Sequence, residues 1–284
     1  MFVLQSWQPR GGTVIVFSMS SAALAAPLAR DLLRHTLPEF EARAKTLPLG
    51  LREINDALPE GGLPRGGVVE LAAPRGLGRS TSLALSACAS AQAEARLRGT
   101  SATAGAWCAW IDPSGSLYAP AVARAQVDLS RLLVVRPPPE VLAKVAVRMA
   151  MSRAFAVLVI DVAGVPGAFG QGAGKGERSA PGAGRREEDL ARWVNVVRKL
   201  ALAIEGSDGT ILLLTDRQAA RPMPLPVAMR LELEQVAENR LMVRVAKDRR
   251  GRVTSPTPVV LGERPGDRAE RTAGGEPRPA LSRA

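Results

Sequence analysis

The sequence predicts an α/β fold in which a mostly parallel sheet is flanked by helices, with antiparallel strands at the C-terminal edge. Nearly continuous apolar runs of strand length alternate with helical patterns along the chain. Parallel strands have this composition because each crossover lays a helix over the sheet and buries both faces. Three later runs, at 230–236, 241–246 and 253–261, are joined by polar turns and predict the antiparallel edge.

The elements follow one another in regular alternation. Strands are predicted at 68–72, 106–112, 132–135, 156–162 and 210–215. Helices are predicted at 80–98, 118–126, 140–153 and 187–205. Each of these helices lies between two strands, as in successive βαβ units.

Two segments interrupt the alternation, and the composition changes again at the C-terminus. Residues 164–186 contain eight glycines and two prolines, and residues 216–226 contain three prolines. Such segments do not build a core, so we predict two mobile loops. The chain from residue 262 has few apolar residues and predicts a disordered tail. The predicted domains are an N-terminal extension with a helical segment (1–48), a core (49–261) and the tail (262–284).

The first thirty residues permit two interpretations. An uncharged run between Arg10 and Arg30 ends in small residues, as in a secretory signal peptide. Alternatively, Met19 starts the protein, residues 1–18 are an extension that is either disordered or misassigned, and residues 22–34 form a surface helix with a leucine stripe. We favour the second interpretation, which predicts a cytoplasmic protein. No other uncharged apolar run reaches the roughly 20 residues that a membrane span needs, so no membrane partner is expected.

The charge balance indicates a polyanionic partner. Thirty-eight Lys and Arg residues against 27 Asp and Glu residues give a formal net charge of +11. Only five of the basic residues are lysines. A genome whose base composition favours Arg codons would give the same excess, so the net charge alone does not establish nucleic-acid binding.

The scarce residue types exclude several classes of site. One histidine and two cysteines cannot supply the three or four nitrogen and sulfur ligands of the usual zinc site. A Ser-His-Asp mechanism would depend on His35 alone, with no nucleophile elbow nearby. Ten aromatic residues are too few for a module that stacks successive bases. We therefore assign no metal site and no catalytic residue, and expect any nucleic acid to be held by its phosphates.

The segment between the first core strand and its helix has the spacing of a phosphate-binding loop. Residues 73–81 read APRGLGRST and follow the pattern G-x-x-x-x-G-K-[ST], with Ala73 in place of the first Gly and Arg79 in place of the Lys. A later apolar strand closes with Asp161, where such proteins place a carboxylate near magnesium. The candidate nucleotide-binding residues are Gly76, Gly78, Arg79, Ser80, Thr81 and Asp161. A glycine-bearing strand-to-helix turn without a ligand is the alternative.

These segments, in this order, resemble the RecA recombinase family. The resemblance rests on the lead-in GGLPRGGVVEL at 61–71, on the phosphate-binding loop, and on residues 110–112, 127–133 and 198–200. It covers about residues 45 to 250 and implies a RecA-like P-loop core with ATP and Mg²⁺ as cofactors. It also implies that the core packs along single-stranded DNA, with the two mobile loops facing the DNA.

The departures from the family pattern concern the chemistry of ATP hydrolysis. Arg79 replaces the lysine, Ser114 stands where the resemblance implies a catalytic glutamate, and Asp216 stands near the position of a glutamine that senses the γ-phosphate. Positioning and charge stabilisation are the main contributions of a protein to phosphoryl transfer. We therefore expect no efficient hydrolysis, and interpret the chain as non-catalytic or weakly catalytic.

Basic residues in both predicted loops and in one C-terminal turn are the candidate DNA contacts. They are Arg185, Arg186, Arg217, Arg221, Arg244, Lys247, Arg249, Arg250 and Arg252. The resemblance also gives Lys247 and Arg249 a placement suited to reaching a neighbouring subunit's nucleotide. Each arginine taken singly is explained as well by a solvated surface position.

Within the family, the degenerate loop, the length and the basic tail resemble the ImuA type. This resemblance implies an accessory protein of SOS-induced translesion DNA synthesis, a mutagenic form of DNA repair. The implied partners are single-stranded DNA, an inactive Y-family polymerase homologue of the ImuB type, and RecA. Two alternatives stay open: a DNA-stimulated ATPase of recombinase type, and a protein-binding module like a cell-division inhibitor.

Overall fold

A computed structural model describes the backbone at residues 5–7, 14–16 and 183–192, and backbone and side chains at 46–74, 79–98, 106–162, 193–217 and 224–261. The chain divides into two compact units, Met1–Lys45 and Thr46–Ala284. In the first unit, β1 (Gln5–Trp7) and β2 (Val14–Val16) pair antiparallel.

The second unit carries the predicted alternation of strands and helices. Its described strands are β3 (Thr46–Leu47), β4 (Leu63–Pro64), β5 (Gly67–Ala73), β6 (Cys108–Ile111), β7 (Leu132–Val135), β8 (Val157–Asp161), β9 (Thr210–Asp216), β10 (Met229–Ala237), β11 (Arg240–Asp248) and β12 (Thr257–Val260). Its described helices are α1 (Arg52–Ala57), α2 (Ser80–Leu97), α3 (Ala119–Arg124), α4 (Pro139–Ser152) and α5 (Ala183–Ile204), with a 3-10 turn at Leu129–Arg131.

Eight strands form one sheet in the order β12-β11-β10-β5-β9-β8-β6-β7. The six strands from β10 to β7 are parallel, whereas β11 and β12 are antiparallel to their neighbours. The predicted fold class is thereby confirmed, including the antiparallel C-terminal edge. Strands β3 and β4 form a separate two-stranded pairing.

Two hydrophobic layers cover the two faces of the sheet. On one face, Val69 of β5 packs in a cluster with Leu83 of α2. On the other, Val68 belongs to a cluster with Leu142 of α4 and Val197 of α5. Successive residues of β5 alternate between the layers, as the two-residue period of a strand requires. All seven residues of β5 are buried, because the strand lies inside the sheet with helices on both sides.

The two cysteines belong to the layer that α2 covers. Cys88 and Cys108 are both buried, and the Cys108 thiol donates to the Cys88 carbonyl oxygen over 3.7 Å. Hydrogen bonding with Cys108, together with burial, raises the pKa of the Cys88 thiol. Thiols in such surroundings stay protonated and pack as small apolar side chains.

Most predicted boundaries agree with the structure to within two residues, and two do not. Helix α5 begins at Ala183, so Arg185 and Arg186 lie in a helix and not in the predicted loop. Arg and Glu are strong helix formers, and they extend the helix back toward the glycines. Strand β12 begins at Thr257, four residues later than predicted, because Pro256 has no N–H to donate to a ladder.

The prediction of no regular structure in residues 1–18 is wrong for β1 and β2. The β-branched run Val14–Val16 favours a strand. Several other predictions concern parts of the chain that lie outside the described residues. They are the helix at 22–34, Gly76, Gly78, Arg221, most of both loops and the tail.

No helix in the described part of the chain is long and apolar enough to span a membrane.

Two leucines of α5 provide a matched test of this packing. Leu200 is fully buried in the layer beneath α5, whereas the side chain of Leu202 is 67% exposed. We expect Leu200→Ala to lower the free energy of unfolding by about 2–5 kcal/mol because it leaves a cavity, and Leu202→Ala to change it by less than about 0.5 kcal/mol. Urea denaturation followed by circular dichroism measures both. Equal losses would show that α5 does not pack as described.

Candidate nucleotide and nucleic-acid site

Strands β5, β9 and β8 are neighbours and end on the same side of the sheet, which we call its carboxyl end. Ala73, the last residue of β5, pairs with Asp216 of β9, and Asp161 of β8 pairs with Leu214. Asp161 is 8% exposed. Parallel α/β sheets bind ligands at this end. The structure thus places Asp161 and the start of the predicted phosphate-binding loop at one end of the sheet, with β9 between their strands.

The helix that follows the predicted loop begins as expected, but Arg79 makes a specific contact elsewhere. Ser80 is the first residue of α2 and Thr81 the second. Arg79 precedes them with a φ of +53°, in the left-handed region that few non-glycine residues adopt. Its guanidinium donates from Nη2 to the carbonyl oxygen of Glu238, in the turn between β10 and β11. Arg79 therefore holds the β10–β11 hairpin to the start of α2.

The segment after β6 forms a closed turn around Asp112. The fully buried Asp112 carboxylate accepts hydrogen bonds from the backbone amides of Ser116 and Leu117, over 2.9 and 3.1 Å. Ser114 Oγ lies 3.3 Å from Asp112 Oδ1 and 3.0 Å from Ser116 Oγ. Arg136 Nε lies 3.6 Å from the second carboxylate oxygen. The serine at the position of the implied catalytic glutamate is thus tied into its own turn.

A buried carboxylate that sequence analysis missed lies inside the sheet. Glu70 of β5 is fully buried, and the hydroxyl of Thr215 on β9 donates to its Oε1 over 2.7 Å. Arg230 Nη1 on β10 lies 3.8 Å from Oε2, and Arg230 also pairs with Glu232 at 3.2 Å. Glu232 in turn pairs with Arg244 of β11 at 3.3 Å. Charges of alternating sign therefore run across β5, β10 and β11.

The predicted DNA-contacting residues do not form one surface. Arg217 lies at the carboxyl end, where its amide donates to the Ala73 carbonyl oxygen over 3.0 Å. The turn with Arg249 and Arg250 lies at the opposite, amino end of the sheet, because β11 runs antiparallel to β10. The Arg249 guanidinium lies close to Gly67, the first residue of β5. A Cβ atom built on Gly67 would be 3.7 Å from Arg249 Nη2.

Most of these basic side chains have partners within the chain. Arg217 pairs with Glu234 at 2.7 Å. At the amino end, Arg250 pairs with Glu60, and Arg252 lies 3.2 Å from the same carboxylate. In the described part of the chain, no hydrogen bond or ion pair of Arg249 is found. The positive charge at Arg217, Arg250 and Arg252 is thus partly neutralised locally.

Two further ionisable groups at the amino end have shifted pKa values. Burial lowers the pKa of Lys247, and the negative charge of Glu70 partly opposes this. The Lys247 ammonium donates to the Leu225 carbonyl oxygen over 2.8 Å. Burial alone would raise the pKa of Asp248, but hydrogen bonds from Arg252 and from backbone amides bring it below its ordinary value. Asp248 therefore stays ionised at neutral pH and fixes this turn.

Within the described residues, no three His, Cys, Asp or Glu side chains cluster in a way that could hold a metal ion.

Residues 35–215, more than half of the chain, match the RecA N-terminal domain. The chain belongs to the RecA family. Three RecA proteins show the degree of sequence similarity. The chain is 34% identical to Protein RecA of Rhodospirillum centenum over 124 residues, which are 43% of this chain and 32% of that protein. It is 35% identical to Protein RecA of Cutibacterium acnes over 116 residues, which are 40% of this chain and 30% of that protein. It is 32% identical to Protein RecA of Bartonella quintana over 132 residues, which are 46% of this chain and 35% of that protein.

The matched regions span about a third of the length of these curated relatives. The eight-stranded sheet agrees with a RecA-like core. Membership of the RecA family and the fold are therefore confirmed, and the sites stay predictions.

The polar network around Glu70 gives a test of how β5 is tied to β9. Thr215→Val removes the hydroxyl that donates to the buried Glu70 carboxylate, so we expect a loss of about 1–3 kcal/mol in the free energy of unfolding. Thr257→Val, at an exposed position of β12, is the matched control and should cost less than about 0.5 kcal/mol. Urea denaturation measures both. A Thr215→Val variant as stable as the control would contradict the described network.

Proposed function

We propose that this chain is a non-catalytic or weakly catalytic accessory protein of SOS-induced translesion DNA synthesis, of the ImuA type. It would bind single-stranded DNA, an inactive Y-family polymerase homologue and RecA. The observation that supports this most is the contact of Arg79. The guanidinium at the position of the phosphate-binding lysine donates to the Glu238 carbonyl oxygen, while the RecA-like sheet around it is retained.

The residues around this position support binding better than hydrolysis. Ser80 and Asp161 are the types that would hold Mg²⁺ beside ATP, with the hydroxyl at the start of α2 and the carboxylate at the end of β8. The residues that would position water and stabilise transferred charge are absent or engaged. Ser114 stands at the position implied for the catalytic glutamate but has no carboxylate, and it lies in the turn that Asp112 closes. Phosphoryl transfer without these contributions is slow.

The proposed DNA surface is the carboxyl end of the sheet. The predicted loops follow β8 and β9, and Arg217 follows β9 directly. The Arg217–Glu234 ion pair has partly exposed side chains on both sides, and an exposed pair of this kind contributes little to stability. A phosphate can therefore compete for Arg217 at small cost. The RecA proteins that the chain matches make DNA repair the setting of this proposal.

The absence of turnover is directly testable. We expect the full chain to release no phosphate from ATP above background, with or without single-stranded DNA, because the groups that stabilise the transferred phosphate are missing. A malachite green phosphate assay, run beside a bacterial RecA protein as the positive control, measures this.

One result in that assay would favour the alternative. DNA-stimulated phosphate release that disappears in Asp161→Ala and persists in Asp56→Ala would contradict the non-catalytic proposal. It would identify an ATPase of recombinase type. Asp56 is the matched control because it is the same residue type at an exposed position of α1, outside the candidate site.

DNA binding should follow the behaviour of phosphate contacts. We expect fluorescein-labelled oligodeoxythymidine to bind in anisotropy titrations, with an affinity that falls steeply as salt rises. Arg217→Ala should lower the salt slope by about one and weaken binding to all sequences alike. Arg148→Ala, on the exposed side of α4, should change neither. Binding that does not respond to salt, or no binding at low salt, would contradict the DNA part of the proposal.

The partner part has its own test. Affinity capture with the tagged chain from cells treated with a DNA-damaging agent should recover the Y-family polymerase homologue. Capture from undamaged cells is the control. Recovery of cell-division proteins in place of the polymerase homologue would contradict the proposed role.

A further inference from the structure

A cleft opens at the amino end of the sheet, on the side opposite to the predicted loops. It has a volume of about 330 Å³ and lies between the last turns of α2 and the segments that lead into β6, β8 and β9. None of its lining residues belongs to the candidate nucleotide or DNA set. The volume is in the range of ligand pockets and is sufficient for one or two bulky side chains.

The apolar part of the cleft consists of alanines with two aromatic rings, the exposed Trp107 and the half-buried Phe155. Trp107 is 45% exposed, and a partly exposed tryptophan is a frequent binding anchor because its ring offers a large apolar face and one N–H donor. The Trp107 carbonyl oxygen accepts the Ala156 amide over 2.8 Å, which fixes the backbone on that wall. The alanines that line the cleft are Ala91, Ala95, Ala106, Ala154 and Ala156. These short side chains leave space in the cleft for a ligand.

Arginines supply the charge of the cleft. Arg65 is almost completely enclosed, and it donates to the Thr46 and Asp208 carbonyl oxygens and to Glu94. Arg98 binds the other oxygen of the Glu94 carboxylate. Both oxygens of Glu94 are therefore occupied, and its negative charge is compensated by two guanidinium groups.

Two of the arginines keep donors for a ligand. Arg153 uses Nε and Nη2 for the carbonyl oxygens of Ala203 and Glu205, and Arg98 uses Nη2 for Glu94. A guanidinium has five N–H donors. The remaining donors on these exposed side chains match carboxylate oxygens, which guanidinium groups bind in bidentate fashion.

We propose that this cleft binds an acidic peptide segment of a partner protein. A bulky apolar side chain of the segment packs on Trp107 and fills the alanine-lined space, and neighbouring carboxylates bind Arg98 and Arg153. A strand of nucleic acid fits less well, because one exposed aromatic ring gives a single stacking position.

The cleft is independent of the carboxyl-end site in this proposal. It lies at the other ends of the same strands, so the loss of nucleotide or DNA binding would leave it intact. Failure of the peptide test and failure of the DNA test are therefore distinguishable.

Panning of a random peptide library displayed on phage tests the proposal with the full chain as bait. We expect enriched peptides to combine Asp or Glu with an adjacent Phe, Leu, Ile or Trp. Synthetic copies of the enriched peptides should bind about tenfold more weakly to Trp107→Ala and to Arg98→Gln in anisotropy titrations. Arg98→Gln removes a charge without touching the hydrophobic layers, so it decides the test if Trp107→Ala does not fold.

Two matched controls define the specificity of the loss. Arg96→Gln removes an arginine from the same helix that pairs with Asp128 outside the cleft, and Tyr118→Ala removes an exposed aromatic ring at the start of α3. Both should bind the peptides as the unchanged chain does. No enrichment, peptides insensitive to Trp107→Ala and Arg98→Gln, or stronger competition by oligodeoxythymidine than by the peptides would overturn the proposal.

Discussion

The burial of β5 on both faces is the constraint on which the arrangement of the whole second unit depends. The strand pairs with β9 on one side and with β10 on the other, and all seven of its residues are buried. A strand in this position has no free face for a ligand, so polar chemistry is confined to its two ends. The exception inside the strand, Glu70, is tied to Thr215 and Arg230 on the two flanking strands. The Glu70 carboxylate therefore links β5 to both neighbouring strands.

The same constraint explains why the RecA-like fold persists although its phosphate-binding pattern has changed. The strand, the start of α2 and the neighbouring β8 are fixed by packing of the apolar layers. The residue that replaces the lysine contributes to neither layer. Arg79 is thus able to form a contact with the β10–β11 turn without disturbing the sheet. A changed phosphate-binding pattern and a retained fold are compatible because different residues carry them.

The fold was predictable from the sequence because its signals are local. Apolar runs such as Val157–Asp161 and the Ala-rich pattern of Ser80–Leu97 specify their own element type. The site was less predictable. The order of motifs indicated which residues reach the carboxyl end, but no pattern indicates that Arg79 meets the Glu238 carbonyl oxygen 159 residues later. The antiparallel edge was predicted, and with it the reversed direction of β11, which places Arg249 and Arg217 at opposite ends of the sheet. Glu70 had one signal, a charge within an apolar run, which is typical of a buried and partnered carboxylate.

The β10–β11 hairpin extends from one end of the sheet to the other and has a contact at each end. Its strands have nine residues each, a length of roughly 30 Å at the rise of a strand. Arg79 holds the hairpin at one end, and Glu60 binds Arg250 and Arg252 at the other. Charges this far apart are screened from each other, since the Debye length is about 8 Å at physiological salt. Exposed charges at one end therefore have little electrostatic effect at the other, and any coupling between the two ends requires a movement of the chain.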